Sequence, residues 1–153
     1  MSFGKNVGNF QFVHATDVVD LNDDQEGRAA YFIDYDNDGD QDLFVTQVYA
    51  PNRLWRNDGN GIFDDVTEKA GLSLREDLIS HSAVWFDFDN DGFLDVYVGN
   101  FGNWLSGELP LVARDSRNGQ PNLFYRTRGD GTFEDVTKRT GAGNTGWTHA
   151  VSH

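Results

Sequence analysis

The chain of 153 residues contains no cysteine, one methionine and three prolines, and only 12 Lys and Arg against 25 Asp and Glu. The missing cysteine excludes disulfide staples, thiol catalysis and zinc-thiolate sites. The shortage of cations leaves a formal net charge of −13 at pH 7. That balance argues against nucleic acid or an anionic membrane surface as partner, because phosphate binding needs clustered positive charge. No window approaches the roughly 18 consecutive apolar residues of a membrane span, so no membrane insertion is expected. The amino terminus, Met1-Ser2-Phe3-Gly4-Lys5-Asn6, lacks the apolar core of a signal peptide. Helical periodicity is scarce too, and Glu68-Lys69-Ala70-Gly71-Leu72 reads as a short turn at most.

What is abundant is aromatic: 12 Phe, 5 Tyr and 4 Trp are too many rings for a solvated acidic tail, so the chain folds. It also repeats itself. Residues 30–45, Ala-Tyr-Phe-Ile-Asp-Tyr-Asp-Asn-Asp-Gly-Asp-Gln-Asp-Leu-Phe-Val, align without a gap on residues 83–98, Ala-Val-Trp-Phe-Asp-Phe-Asp-Asn-Asp-Gly-Phe-Leu-Asp-Val-Tyr-Val, at a spacing of 53. A second signature, Gly59-Asn60-Gly61-Ile62-Phe63-Asp64-Asp65-Val66-Thr67, recurs as Gly129-Asp130-Gly131-Thr132-Phe133-Glu134-Asp135-Val136-Thr137. A weaker copy lies at Gly8 to Thr16, with Phe12 and Thr16, so the spacings are 51 and then 70 residues. The longer interval contains an insertion of seventeen residues within 101–121.

Each repeat reads as four short strands. Ala30 to Asp34 and Ala83 to Phe88 are aromatic and β-branched, and an Asp-rich turn follows. Then come Leu43 to Tyr49 and Val96 to Asn100, Leu54 to Arg56 and Leu123 to Arg126, and finally Phe63 to Val66 and Phe133 to Val136. Glycine-containing hairpin turns, Asn57-Asp58-Gly59 and Arg128-Gly129-Asp130-Gly131, join the last two strands of each set. Four-stranded units of about 50 residues point to an all-β fold of β-propeller blades, each of four antiparallel strands. A β-sandwich also uses short strands but gives no reason for the long-range self-similarity. One segment, 1–153, is expected: a partial blade at about 1–16, a repeat at about 28–67, a repeat at about 81–137 with the insertion, and a partial terminal blade at about 146–153.

The chemical signal lies in the Asp-rich turns. Asp34, Asp36, Asp38 and Asp42, and again Asp87, Asp89, Asp91 and Asp95, stand at positions 1, 3, 5 and 9 of a nine-residue loop with glycine at position 6. Alternate side chains converge as such a turn tightens, and the backbone carbonyl at position 7, from Asp40 or Phe93, adds an oxygen. Hard oxygen donors in a flexible loop suit Ca²⁺, which takes about 6–8 oxygens, better than Mg²⁺ with its small hydrated octahedral shell. About two Ca²⁺ per chain are expected. An EF-hand would need a bidentate Glu at position 12 and flanking helices; position 12 is Val45 or Val98, in strand-like sequence. The bland reading is a solvated acidic turn, but carboxylates held so close repel one another unless a cation or protons intervene.

The paired Asp-x-Asp-x-Asp-Gly-x-x-Asp loops, the Ala-Val-Trp-Phe-Asp-Phe strand before them and the Phe-x-Asp-Val-Thr-x-x-x-Gly-Leu element resemble the FG-GAP/VCBS repeat family, with the likeness running from about Gly8 to His153. The resemblance implies a calcium-stabilised β-propeller of the kind found in integrin α-subunit heads, an extracellular or periplasmic location, and binding or scaffolding more often than catalysis. Two complete repeats and fragments of another do not close a ring, which usually takes 4 to 8 blades. Closure by a cyclic homo-oligomer, with a trimer favoured over a dimer, is one expectation; a chain that is part of a longer product is the other. Function is expected to be that of a calcium-binding structural or interaction scaffold with a protein or glycan ligand. The alternatives are a carbohydrate-binding lectin and a polysaccharide lyase or hydrolase propeller.

Other features are weaker. Arg128-Gly129-Asp130 spells an integrin-recognition tripeptide, but its aligned counterpart is Asp58-Gly59-Asn60, and turn chemistry accounts for both. The insertion, with Trp104, Leu105, Leu109, Leu111 and Val112, is either a recognition loop or a cover over a sheet edge. Trp55, Trp85 and Trp147 read as core. His81 and His149 precede similar strand sequences and read as polar lining of a central channel. No nucleophile elbow, metalloprotease helix or phosphate loop is present, and no enzyme is expected, although a carboxylate pair involving Glu68 or Glu108 stays open.

Overall fold

The computed structural model describes residues 4–14, 24–72, 75–102 and 117–152. These form three antiparallel sheets. Strands β1 (Gly4–Gly8) and β2 (Gln11–His14) make a hairpin. The first four-stranded sheet runs β3 (Gly27–Ile33), β4 (Asp42–Gln47), β5 (Arg53–Asn57) and β6 (Phe63–Asp65), each strand beside the next. The second repeats that order with β7 (Ser80–Phe86), β8 (Asp95–Asn100), β9 (Leu123–Thr127) and β10 (Phe133–Asp135). The helix α1 (Thr137–Thr140) closes the second unit.

The sequence repeat is a repeat of hydrogen bonds. The Val48 N–H donates to Glu26 O (3.0 Å) where the Phe101 N–H donates to Ile79 O (2.8 Å). The Asp-Val-Thr element has a definite task in both sheets. The Asp65 and Asp135 carboxylates accept from the N–H of Thr67 and Thr137, at 3.0 and 2.9 Å. Those hydroxyls in turn accept from the N–H of Leu54 and Phe124, at 2.9 and 2.8 Å. The fourth strand is thereby stopped and stitched to the third, and the chain turns away through a helical bend ended by a glycine in the left-handed region, Gly71 (φ 78) or Gly141 (φ 70).

The two sheets pack face to face, β3 and β4 against β7. Phe44 and Leu54 from the first meet Trp85, Val96, Val98, Leu123, Tyr125 and Phe133 from the second. Phe44 meets Trp85 edge-on at 5.3 Å, and the Ala83 N–H donates to the Tyr31 hydroxyl at 2.7 Å. Strand β4 is buried along its whole length, as a central strand covered on both faces must be. Its other face holds Leu43 and Val45 with Trp55 and Phe63. On the far face of the second sheet, Phe86, Phe88 and Tyr97 gather around Phe124 at 5.8, 5.0 and 5.9 Å.

Several expectations change. The amino-terminal segment, read as the last strand of a blade over 1–16, is a hairpin of β1 and β2 with Phe10 98% and Phe12 66% exposed; Thr16 lies outside the described residues. Residues 146–152, read as the first strand of a further repeat, carry no strand. The Thr148 N–H donates to Asn100 O (3.2 Å), but among the described residues no ladder flanks it to hold an extended strand. The segment from Glu68, expected as a short turn, is one, while its counterpart in the second repeat forms the helix α1. Of the insertion, 103–116 lies outside the described residues, with Trp104, Leu105, Glu108, Leu109, Leu111 and Val112 in it.

Candidate metal centre

Both Asp-rich turns link the first strand of a sheet to the second, and both adopt the same backbone. At position 4, Asn37 and Asn90 take φ of 59 and 61, and at position 6, Gly39 and Gly92 take 95 and 89. Asparagine tolerates the left-handed region better than most side chains and glycine enters it freely, which is why those types occupy those positions. The position-1 carboxylate accepts from the N–H at position 6: Gly39 to Asp34 at 3.1 Å, Gly92 to Asp87 at 3.0 Å. The position-5 carboxylate accepts from position 7: Asp40 to Asp38 at 2.9 Å, Phe93 to Asp91 at 3.1 Å. Position 9 is anchored twice. Asp42 accepts from the N–H of Tyr35 (3.1 Å) and Asn57 (2.8 Å), and Asp95 from Phe88 (2.9 Å) and Thr127 (2.8 Å).

This scaffold gathers positions 1, 3 and 9. Asp34, Asp36 and Asp42 offer oxygens within 4.8 Å of one another, and so do Asp87, Asp89 and Asp95. Asp38 and Asp91 stand outside these triads, occupied with the turn. The position-7 side chains turn to the neighbouring hairpin. A Cβ on Gly59 would lie 2.6 Å from Asp40 Oδ2, and one on Gly129 would lie 2.9 Å from the Phe93 ring. The two loops lie side by side, because Asn37 Nδ2 donates to Gly92 O at 2.9 Å.

The electrostatics of the first loop are those of anions crowded together. Burial pushes the Asp42 carboxyl up to about 6, against the two N–H groups that favour its charge, and Asp36 and Asp38 push it in the same direction. Asp36 is raised by burial and then by Asp38. Tyr35 is pushed up to about 12 by burial and by Asp36 and Asp42. In the second loop Asp95 is raised, again mainly by burial. Asp34 Oδ1 and Asp36 Oδ1 are buried and have no hydrogen-bond partner. Buried polar atoms in native proteins almost always find a partner, so this donor set, all hard oxygen, fits a divalent cation of the calcium type.

Two arginines that sequence reading passed over stand beside the loops. Arg126 reaches Asp89 (Nε to Oδ2, 2.5 Å) and Asp91 (Nη2 to Oδ2, 2.8 Å). Its counterpart Arg56 lies 3.7 Å from Asp64. Their identical place in the two repeats was the available signal.

The remaining candidates resolve simply. Trp55 and Trp85 are buried in the sheets, and Trp147 packs edge-on against Phe101 at 4.7 Å. Arg128-Gly129-Asp130 is built as a turn, with the Asp130 carboxylate accepting from both the N–H and the hydroxyl of Thr132, at 3.0 and 2.6 Å. His81 and His149 come together at 5.5 Å across 68 residues of chain, with Phe101 against both at 5.0 and 4.4 Å. Burial first, then Arg28 and His149, hold the His81 imidazole below its ordinary value.

Residues 34–98 match the FG-GAP-like repeat family, a stretch that begins on the first residue of one loop and passes through the whole of the other. Over 104 residues the chain is 29% identical to cartilage acidic protein 1 of Xenopus tropicalis. The aligned region covers 65% of this chain and 13% of that protein, so the chain spans a small part of its relative's length.

Proposed function

The chain carries an FG-GAP-like repeat across residues 34–98, and from that premise we propose that it is a calcium-binding β-propeller segment serving as an extracellular structural or interaction scaffold. The observation that carries this reading is the duplicated triad: Asp34, Asp36 and Asp42, and Asp87, Asp89 and Asp95, each gathered by the same hydrogen bonds. These six side chains would hold two calcium ions, with Asp38 and Asp91 and the carbonyls of Asp40 and Phe93 as further oxygens. The ion supplies positive charge where the fold has concentrated negative charge. The residues do the rest: Gly39 and Gly92 set the bend, and the position-9 aspartates tie each loop to the third strand, so a filled loop stiffens one end of its sheet. Lacking the bidentate Glu of an EF-hand, such loops suit the weak affinities of extracellular modules, on the order of 10⁻⁴–10⁻³ M. The relative's name, which places it with cartilage, supports the same setting.

The propeller reading is supported by the repeat of faces. Ile33, Tyr35, Phe44 and Leu54 sit where the first sheet meets the second; their counterparts are Phe86, Phe88, Tyr97 and Phe124, the aromatic group on the far face of the second sheet. A further sheet stacked there would repeat the first contact. Copies of this chain arranged as a cyclic trimer would provide such sheets through a heterologous interface. Sedimentation of the calcium-loaded protein as a folded monomer would rule the trimer out.

Isothermal titration with calcium tests the central reading, with two ions bound per chain expected. Asp36→Ala should empty the first loop and Asp89→Ala the second, each leaving the other. No heat with either loop intact would defeat it.

A further inference from the structure

The two loops are alike in backbone but differ in how an arginine meets them. Arg56 and Arg126 hold equivalent places on β5 and β9, each directly across the ladder from an acidic residue, Asp64 on β6 and Glu134 on β10. In the first sheet Arg56 pairs loosely with that partner, at 3.7 Å from Asp64. Its charge favours the ionised form of Asp36, but no hydrogen bond from it to the loop is seen among the described residues. In the second sheet Arg126 turns the other way and bonds the position-3 and position-5 carboxylates of the loop, Asp89 at 2.5 Å and Asp91 at 2.8 Å. Glu134 is left to Arg139, at 3.9 Å. A second, independent difference agrees with this. Two oxygens of the first triad, Asp34 Oδ1 and Asp36 Oδ1, are buried without a partner, and among the described residues no oxygen of the second triad is in that state.

We propose that Arg126 is an internal competitor for the second calcium loop, so that the two loops differ in affinity and fill in order, the Asp34–Asp36–Asp42 loop first. The proposal rests on the calcium reading above. A guanidinium and a divalent ion within a few ångströms of the same carboxylate repel each other, and the Asp89 oxygen that Arg126 occupies is one the ion needs. Filling the second loop therefore requires Arg126 to leave. The first sheet shows where it goes: Arg56 marks the alternative orientation, toward the acidic residue across the ladder, and Glu134 is that residue for Arg126. The competitor and its receiving carboxylate both belong to the second sheet, and the direct contacts of Arg126 fall on the second loop.

The test is a calcium titration of Asp36→Ala, in which only the second loop remains, against Asp36→Ala combined with Arg126→Gln. Removing the guanidinium should tighten the second loop by about tenfold, the scale of a partly exposed, charge-assisted pair. Glu134→Gln in the Asp36→Ala background should weaken it, since the departing Arg126 loses its acceptor. Equal or weaker binding in the Arg126→Gln protein would overturn the competitor while leaving the calcium reading standing. No binding by the wild type or by either variant would defeat the calcium reading itself, and this proposal with it. A measurement on the unaltered protein guards against misfolded variants. As calcium rises, the Arg126 Nε–H resonance should move with the second loop's resonances and lag behind those of the first; a resonance unmoved at saturating calcium would also overturn the proposal.

Discussion

Asp42 is fully buried, accepts two backbone N–H groups, and still has its carboxyl pushed up to about 6. An ordinary carboxyl titrates near 3.8, so the folded, metal-free protein binds this proton more tightly than the unfolded chain does. By linkage, the contribution of Asp42 to metal-free stability is fully present below about 3.8 and is lost as pH rises through about 6. Calcium requires the charged form, so the sign reverses for binding. Titration at a series of pH values should show calcium affinity falling as pH drops below about 6, and an affinity flat from pH 7 to 5 would contradict that assignment. Gly59 illustrates a different constraint, since its φ of 79 and its closeness to Asp40 both disfavour a side chain. Gly59→Ala should cost about 1–2 kcal/mol, measured by urea unfolding; the carboxylate of Asp40 can swing aside, so the backbone strain sets the size.

At the scale of elements, strand interiors were legible because aromatic and β-branched runs lie between loops rich in Asp, Gly and Asn. Strand ends were not. Strand β3 begins at Gly27, three residues before the expected Ala30, because its ladder with β4 continues through a bulge between Gly27 and Ala29. It ends at Ile33, where Asp34 leaves the ladder for the loop. The amino-terminal hairpin escaped notice because a short phenylalanine-containing match at Gly8 to Thr16 resembled a fourth strand, whereas β2 turns back on β1. The bend of the loops was legible from Gly at position 6, but which carboxylates converge was not: positions 1, 3 and 9 gather, while position 5 accepts the N–H of position 7. The hold of Arg126 on Asp89 was not legible either, because it joins residues 37 apart through a long side chain whose direction no spacing rule sets. The core assignment has its own test. Leu54, with 0% exposure between the sheets, should cost about 2–5 kcal/mol when cut to alanine, while Ile62, 54% exposed in the β5–β6 hairpin, should change stability by under about 0.5 kcal/mol. Denaturant midpoints of the two variants that coincide would place Leu54 wrongly.

For the molecule as a whole, about a third of the acidity that argues against nucleic acid, eight of the 25 Asp and Glu, stands at positions 1, 3, 5 and 9 of the two loops. Those eight aspartates are part of the −13 net charge, and two divalent ions would neutralise half of what they carry. Binding only the folded state, calcium at ten times the dissociation constant should stabilise by about 1.4 kcal/mol per filled site. Thermal melting should therefore move upward with calcium and downward with chelator, and a midpoint blind to both would contradict the linkage. The same ions would brace the end of the two sheets where Asn37 joins one loop to the other. The most direct measurement is anomalous diffraction at long wavelength from crystals grown with calcium. A peak at the Asp34–Asp36–Asp42 cluster is expected at modest calcium, joined at higher calcium by one at Asp87–Asp89–Asp95. Carboxylates at both clusters surrounded only by water at saturating calcium would contradict the account.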